Sequence, residues 1–139
     1  MMAGLESARV QEFLAAREVV VLATVQPDGS PLAMPMWFLH DPMSVTMVSV
    51  DGTQKVRNLR RDPRVCVVAE SGSRGEVRGV SVHGRARFLS ESPERRALVE
   101  RFLEKYRPHL ERRWGGRAMP PDRVMFSIAP SRVTRWGLD

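Results

Sequence analysis

The sequence has little of the material from which metal sites and protein-only active sites are built. Its 139 residues include one cysteine, Cys66, and three histidines, His40, His83 and His109, which lie far apart. There is no paired CxxC and no HExxH, and the histidines lack the spacing of zinc ligands. The single cysteine excludes an intrachain disulfide, and its apolar run VCVV predicts a small buried side chain. We therefore expect no metal site.

Motifs for phosphate cradles and for nucleophilic catalysis are also absent. The chain contains no GxGxxG, no GxxxxGK[ST] and no serine in a nucleophile elbow. An enzyme of this composition would import its reactive group as a cofactor, which a protein must position more than it must supply acids and bases. No catalytic side chain is assigned from the sequence.

Long apolar runs are missing as well. No stretch approaches the roughly 20 apolar residues that span a bilayer, and the N-terminal segment contains acidic residues and lacks the apolar region of a signal peptide. We expect a cytoplasmic protein without a membrane partner. The length and the 42% apolar content predict one domain, residues 1–139, with its own hydrophobic core.

The alternation of apolar runs with turn residues predicts a mainly β protein with short helices. Helices are expected over residues 5–16, 53–61 and 92–107, where apolar residues recur at helical spacing. Strands are expected over residues 18–25, 32–40, 43–50, 65–70, 77–89 and 124–128, with a last strand over 132–136. The first three strands have no crossover helices between them, so the sheet is expected to be antiparallel, as an open sheet or a small barrel with helices at its ends.

Two proline-containing segments refine this prediction. Pro27-Asp28-Gly29 is turn chemistry that joins the first two strands as a hairpin. Pro35 lies inside the second strand, which indicates an edge strand or a bulge. The segments SGSRGE and WGGRAMPPD are expected to be loops.

Positive charge is concentrated in one short segment, TQKVRNLRRDPRV, residues 53–65. It carries five basic residues and one acidic residue, in a chain whose formal net charge is +6. A nucleic-acid interface, a solvated helix and an anion site are the three interpretations. The sequence pI of about 10.9 suits phosphate contacts. However, no helix-turn-helix pair surrounds the segment and aromatic residues are not interleaved with its charges, so we expect no nucleic-acid partner.

The other two interpretations can hold together. In a helix over this segment, Val56 and Leu59 would face the core while arginines face water. The N-terminus of the helix follows the strand MVSV and the turn DG, and it offers free N–H groups and a positive partial charge. Thr53 and Lys55 lie at this corner, and Lys55 is one of only two lysines, with Lys105, among 22 basic residues. The sequence therefore predicts a phosphate site at a strand-to-helix corner.

The stretch QKVRNLRRDPRV resembles a signature of the pyridoxamine 5′-phosphate oxidase-like split β-barrel flavoproteins, and most closely that of the branch that binds the deazaflavin coenzyme F420. VVVLATVQPDGSPLAMPMWFLHD is similar to the first hairpin of this family. VSVHGRARFL resembles its long middle strand, and VMFSIAPSRVTRW its closing strands. The resemblance covers residues 14–136. It implies a six-stranded antiparallel split barrel that forms a homodimer, with two cofactor sites at the subunit interface.

The resemblance also implies which residues bind the cofactor. Thr53 and Lys55 would bind its phosphate, with Gln54 nearby. The ring would lie along the second strand and be walled by the third strand, in contact with Met34, Pro35, Met36, Trp37, Val48, Ser49 and Val50. Arg57, Asn58 and Arg61 would either reach the cofactor tail or shape the corner. Many relatives carry an arginine where this chain has Thr53, whose hydroxyl offers a hydrogen bond but no charge.

The residues alone leave deazaflavin, FMN and haem open. The resemblance implies a deazaflavin-dependent oxidoreductase that transfers hydride to a small organic acceptor. The arginine-rich helix suits the anionic polyglutamate tail of that coenzyme. An FMN-dependent oxidase or reductase and a non-catalytic flavin- or haem-binding protein are the alternatives on the same fold. An apolar pocket, or simple core packing, is indicated by Met36, Trp37 and Trp136. A separate candidate is Arg78, which could donate a proton to the acceptor.

Overall fold

The computed structural model describes residues 4–73, 75–115 and 118–138. Three helices are present: α1 (Ala8–Ala15), α2 (Gln54–Arg61) and α3 (Pro93–Trp114). The seven strands of the described residues are β1 (Val20–Val25), β2 (Pro31–Met36), β3 (Leu39–Asp41), β4 (Ser44–Val50), β5 (Arg64–Ser73), β6 (Glu76–Phe88) and β7 (Arg123–Trp136). The predicted mainly β fold with three helices is confirmed, although α3, with 22 residues, is longer than predicted.

All seven strands form one antiparallel sheet in the order β2-β1-β5-β6-β7-β4-β3. The six strands implied by the resemblance are therefore too few, and the seven strands of the sheet differ in their bounds from the seven expected from the sequence pattern. The predicted second strand is interrupted after Met36, because the Phe38 N–H donates to the Tyr106 hydroxyl at 2.9 Å. Conversely, the segments VMFSI and RVTRW belong to one continuous strand, β7, which pairs with both β4 and β6. Pro35 lies in β2 at the edge of the sheet, as predicted.

One face of the sheet packs on the main core. Along β1, Val20 and Leu22 are each 1% exposed, whereas Val21 between them is 38% exposed. This alternation follows from the two-residue period of a strand. The core face also receives Val10, Phe13 and Leu14 of α1 and Leu59 of α2. The apolar positions read from the sequence thus lie on the buried side.

The β5–β6 hairpin is longer than predicted. Strand pairing continues to Ser73 opposite Glu76, so most of SGSRGE is strand rather than loop, and Arg74 lies outside the described residues. Gly84 of β6 is buried and crosses close to β7, because a Cβ there would lie 2.2 Å from the Ala129 carbonyl oxygen. The strand register shifts between His83 and Gly84 at this crossing.

α3 extends past the predicted end at residue 107. It begins at the predicted place: Ser92 caps it by accepting from the Arg95 N–H at 3.1 Å, and Pro93 lies in the first turn. The backbone at Tyr106 leaves helical geometry (φ −115°, ψ 18°) and a second helical segment continues to Trp114. Pro108 is compatible with this arrangement because proline fits the first turn of a helix. Part of the predicted loop WGGRAMPPD, residues 116–117, lies outside the described residues.

None of the helices in the described ranges is long and apolar enough to cross a membrane. The same ranges contain no group of three or more histidine, cysteine, aspartate or glutamate side chains that could hold a metal ion. The free thiol of Cys66 lies 3.3 Å from the Ser81 hydroxyl and is partly buried.

Candidate cofactor site

A cleft of about 550 Å³ opens between the sheet and α3. Its volume lies within the roughly 300–1,000 Å³ typical of small-molecule sites. The cleft is lined by parts of β2, β4, α2, α3 and β7, through Val19, Pro35, Met36, Trp37, Val48, Ser49, Val50, Lys55, Phe102, Leu110, Arg113, Trp114 and Arg123. Among the described residues, the lining thus combines apolar side chains with three basic ones, Lys55, Arg113 and Arg123.

The end of β4 lines the cleft through Val48, Ser49 and Val50, and a turn follows it. Val50 pairs with Arg123 at the end of the β4–β7 ladder. The chain then turns through Gly52, whose φ of 84° is a conformation that favours glycine. α2 begins directly afterwards, so the strand end and the helix N-terminus meet at one corner, as the sequence predicted.

The N-terminus of α2 keeps its donors available. The Thr53 hydroxyl donates to the Val50 carbonyl at 3.0 Å and caps none of the first-turn amides. Helical N–H groups in the first turn have no partner within the helix. These amides and the positive end of the helix dipole are therefore available to an anion at this corner.

Lys55, in the first turn of α2, lines the cleft. Burial lowers the pKa of its ammonium group below the ordinary value of 10.5, because desolvation disfavours the charged form. Arg60, Arg64 and Arg123 lie in ion pairs with neighbouring aspartates. Lys55 is a member of none of the ion pairs found among the described residues. Its positive charge is consequently available to a ligand in the cleft.

Seven of the residues implied by the resemblance line the cleft together: Pro35, Met36, Trp37, Val48, Ser49, Val50 and Lys55. Six do not: Met34, Thr53, Gln54, Arg57, Asn58 and Arg61. Thr53 stands next to the lining residues as the N-cap of α2, whereas Met34 lies one pair further along β2, opposite Leu22.

The other polar residues of α2 bond within the chain. Asn58 is fully buried, and its amide donates to the Thr24 hydroxyl at 3.0 Å and accepts from Gln54 at 2.8 Å. Arg57 donates to the Gly52 carbonyl and to Gln54, and Arg61 donates to the Val25 carbonyl. These side chains hold α2 against β1 and the turn, so they shape the corner rather than line the cleft.

α3 supplies a wall that the sequence did not reveal. Phe102, Leu110, Arg113 and Trp114 line the cleft from this helix. The sequence marks Phe102 as part of an apolar stripe, but not which strand the stripe covers. Arg113 and Trp114 lie in residues expected to follow the helix. Arg113 places its guanidinium carbon 5.4 Å from the centroid of the Trp37 ring.

Tyr106 fixes the aromatic part of this wall. Trp37 stacks on its ring, with centroids 4.7 Å apart and planes 12° apart. The buried Tyr106 hydroxyl accepts from the Phe38 N–H and lies 2.8 Å from the Glu18 carbonyl, to which it can donate. Burial raises the pKa of this phenol to about 12. Tyr106 therefore anchors both Trp37 and the bend after β2.

Lys105, the second lysine, binds the backbone of the bend after β2 and does not line the cleft. Its ammonium donates to the Phe38 carbonyl at 2.8 Å and lies 3.8 Å from the centroid of the Phe38 ring. The pKa of Lys105 is lowered to about 8. Burial of the ammonium group is the main cause, and the nearby positive charge of Arg101 is the second.

Two other residues considered from the sequence lie away from the cleft of this chain. Trp136 packs close against Gly79 in the β6–β7 ladder, where a Cβ would lie 2.5 Å from the indole. Arg78 lies over the Phe13 ring, with 5.8 Å between the guanidinium carbon and the ring centroid. Neither residue lines the 550 Å³ cleft.

A family model described as pyridoxamine 5′-phosphate oxidase matches residues 7–137. The chain belongs to the pyridoxamine 5′-phosphate oxidase family. No curated protein matches it.

Several solved structures are similar to this chain. The conserved hypothetical protein Rv2991 of Mycobacterium tuberculosis is 31% identical, with a TM-score of 0.75 over 94% of this chain and 83% of that one. A putative pyridoxamine 5′-phosphate oxidase of Listeria innocua is 27% identical, with a TM-score of 0.74 over 94% and 97%. An FAD-binding protein of Mesorhizobium loti is 24% identical, with a TM-score of 0.74 over 93% of each chain, and shows the shared fold alone.

Proposed function

We propose that the protein is an oxidoreductase that uses the deazaflavin coenzyme F420 to transfer hydride to a small organic acceptor. The observation that carries this proposal is the chemistry of the cleft. Its lining, as far as the chain is described, includes lysine and arginine but no carboxylate, imidazole, thiol or phenol. Such a site can bind and orient a reactive group, but it offers no acid–base pair or nucleophile of its own.

The residues present fit a phosphorylated ring cofactor. The uncapped first turn of α2 and the Lys55 ammonium offer a phosphate the donors that anion sites use. Apolar side chains of β2, β4 and α3 offer a planar ring a surface from which water is excluded. When bound in its reduced form, the deazaflavin supplies the hydride.

The chain's own contribution is binding and orientation. Lys55 and the α2 amides hold the phosphate end, which sets the register of the ring along β2. Trp37, stacked on Tyr106, keeps the opposite wall in place. The apolar lining keeps water away from the reacting carbon and leaves room for the acceptor. None of these residues is assigned a proton-transfer step.

Arg113 supports the deazaflavin over FMN. It lines the cleft and belongs to none of the ion pairs found among the described residues, so an anionic polyglutamate tail leaving the cleft would meet its charge. Arg123 also lines the cleft, but its charge is paired with Asp122. The arginines of α2 offer the tail less than the sequence indicated, since their guanidinium groups bond to Gly52, Val25 and Asp51. Family membership supports the alternative, an FMN-dependent oxidase or reductase. Lys55 does not distinguish the two cofactors, because it suits either phosphate.

A fluorescence titration of the cofactor-free protein with F420 and, separately, with FMN tests the choice. Trp37 and Trp114 line the cleft, whereas Trp136 lies outside it, so a Trp136→Phe variant reports mainly on the site. We expect saturable quenching by F420 and at least about tenfold weaker binding of FMN, equivalent to about 1.4 kcal/mol. The reverse order would assign the protein to the FMN alternative. Binding of haem but neither flavin would favour a non-catalytic haem protein.

We also propose that two copies form a homodimer through the outer face of the sheet. On this face, Val21 lies directly opposite Pro35 on one side and Val68 on the other. Val21 is 38% exposed, and Val19, just before β1, is 43% exposed. Neighbouring exposed apolar side chains of this kind mark protein–protein interaction sites. Val19 and Pro35 also line the cleft, so a second copy on this face would border the cofactor site.

Replacing Val21 with arginine should produce a monomer. A charge in the centre of an apolar interface has no partner there and opposes association. Light scattering coupled to gel filtration should give twice the 15.7 kDa chain mass for the wild type and the single chain mass for Val21→Arg. Met43→Arg is the matched control, because Met43 is 66% exposed in the β3–β4 turn. A monomeric wild type would contradict the proposal.

A further inference from the structure

A second cavity, of about 260 Å³, lies where α1 meets the beginning of β6 and the end of β7. Its lining residues are Arg9, Glu12, Phe13, Ala16, Arg17, Arg78, Gly137 and Leu138. It shares no lining residue with the cofactor cleft. The proposed hydride transfer does not require this second cavity.

Aromatic packing holds two of its arginines in place. The guanidinium carbons of Arg17 and Arg78 lie 5.1 Å and 5.8 Å from the centroid of the same Phe13 ring. Phe13 is only 7% exposed and belongs to the core, so this ring is a fixed support. Stacking on an aromatic face restricts a guanidinium group while leaving its donors available. Arg9 lies one helical turn before Phe13 on α1, on the same face.

The positive charge of this pocket is not balanced within the described residues. None of the ion pairs found there includes Arg9, Arg17 or Arg78. Glu12 is the one acidic residue among the described residues of the lining, and it is likewise a member of none of those ion pairs. Among the described residues, three guanidinium groups thus surround one small concave space beside a single carboxylate.

Arg17 adds a more specific sign of a ligand. One of its terminal nitrogens donates to the Glu70 carbonyl at 3.3 Å, which ties the side chain to the end of the sheet. Its Nε is buried and has no hydrogen-bond partner among the described residues. A buried donor without an acceptor is rare and unfavourable, so a shift of the Arg17 side chain that brings this N–H to an anion in the pocket would be favoured.

We propose that this pocket binds a compact oxyanion, either a phosphate group or the carboxylates of a small organic acid. The planar guanidinium fork matches both groups through paired N–H donors. The small volume selects a compact group over an extended polymer. The proposal does not depend on the identity of the cofactor, because the two sites share no residue.

A backbone-amide NMR titration with inorganic phosphate, and in parallel with succinate, tests this site at constant ionic strength. We expect saturable shifts at Arg17, Arg78 and Gly137 with one or both anions, and sodium chloride at the same ionic strength should not reproduce them. Phosphate that binds instead at the α2 corner would shift Gly52, Thr53 and Gln54. The positions of the shifts therefore distinguish the two sites.

Variants of the exposed arginines complete the test. Arg78→Ala should weaken anion binding at least tenfold, and Arg78→Lys, which keeps the charge but loses the fork, should weaken it less. Arg112→Ala removes the same charge from an exposed position outside the pocket and should leave the affinity within twofold of the wild type. Arg9→Ala serves as a second pocket variant if Arg78→Ala is poorly folded.

Three results would overturn the proposal. The first is the absence of saturable shifts with both anions. The second is a set of shifts confined to the α2 corner. The third is equal affinity in the wild type, Arg78→Ala and Arg9→Ala.

Discussion

Replacing Lys55 with methionine should weaken binding of the phosphorylated cofactor by about 10–100-fold. The reason is that a hydrogen bond to a charged group contributes about 1.5–3 kcal/mol, and each 1.4 kcal/mol changes the affinity tenfold. Lys55 lines the cleft beside the uncapped amides of α2. The measurement is the same fluorescence titration, performed on the wild type and Lys55→Met in one buffer.

The pH dependence of this binding has a definite sign. Burial lowers the pKa of Lys55 from 10.5, so the ammonium loses its proton at a lower pH than an exposed lysine does. Wild-type affinity should therefore be highest below the lowered pKa and fall as the pH rises through it. Lys55→Arg keeps its charge throughout this range and should show no such fall.

Loss of folding does not explain the expected weakening. In the folded protein the neutral form of Lys55 is favoured relative to the unfolded chain, so the protonated side chain does not stabilise the fold through its ionisation. Thermal unfolding at neutral pH should show Lys55→Met to be no less stable than the wild type. Arg60→Ala, on the exposed side of the same helix, should bind cofactor normally. Equal cofactor affinity in the wild type and Lys55→Met would refute the placement of the phosphate.

Replacing Tyr106 with phenylalanine removes one oxygen atom, the buried hydroxyl, and should cause a large loss of stability. The variant leaves the buried Phe38 N–H without the acceptor that it now has at 2.9 Å, and the Glu18 carbonyl without a donor at 2.8 Å. Each buried group left unpaired costs about 1–3 kcal/mol. Chemical denaturation should therefore show a decrease of about 2–4 kcal/mol in the free energy of unfolding. The upper value is less than the sum for two unpaired groups, because water can hydrogen-bond to the Glu18 carbonyl in the variant.

The control for Tyr106 removes an exposed hydroxyl. Ser131 donates to the His83 carbonyl at 3.2 Å from an exposed position, so Ser131→Ala should change stability by less than about 0.5 kcal/mol. The phenylalanine ring keeps the stacking on Trp37, so folded Tyr106→Phe should bind cofactor within a few-fold of the wild type. A loss of binding larger than the loss of stability would show that the hydroxyl acts on the site itself.

Alkaline pH offers a second check on Tyr106. Its pKa is raised by burial to about 12, above the value of 10.0 for an exposed tyrosine. The folded state therefore holds the proton more tightly, and this contribution to stability is complete below pH 10 and is lost as the pH rises towards 12. Tyr106→Phe should lack this part of the alkaline loss of stability.

Local sequence patterns were sufficient for most elements because each pattern has a local physical cause. The turn at Pro27-Asp28-Gly29 is fixed by glycine, whose φ at Gly29 is 87°, and by the Asp28 carboxylate, which accepts from the Ser30 N–H at 3.0 Å. α2 ends at Arg61 as predicted, because Asp62 precedes Pro63 and the residue before a proline disfavours helix. Val80 and Val82 of β6 lie in the core, on the one face that a strand's two-residue period gives them.

The errors arise where distant residues decide the backbone. Residues 32–39 form an unbroken apolar run within the predicted strand 32–40. The strand nevertheless ends at Met36, because Tyr106, 68 residues away from Phe38 along the chain, accepts a hydrogen bond from the Phe38 N–H. α3 was expected to end near Pro108, but the second segment is held because Leu110 and Trp114 pack with Phe102 in a separate cluster. No local pattern contains these contacts.

The sequence by itself determined the antiparallel mainly β architecture, the corner between β4 and α2, and Lys55 as the lysine at that corner. These depend on strand periodicity, turn residues and helix ends, which act over a few residues. Only the tertiary structure decided that α3 closes the cleft, that Arg113 lies over Trp37, and that Asn58 and Arg61 bond within the chain. Side-chain partners across the fold depend on how elements pack, and this packing is a property of the whole chain.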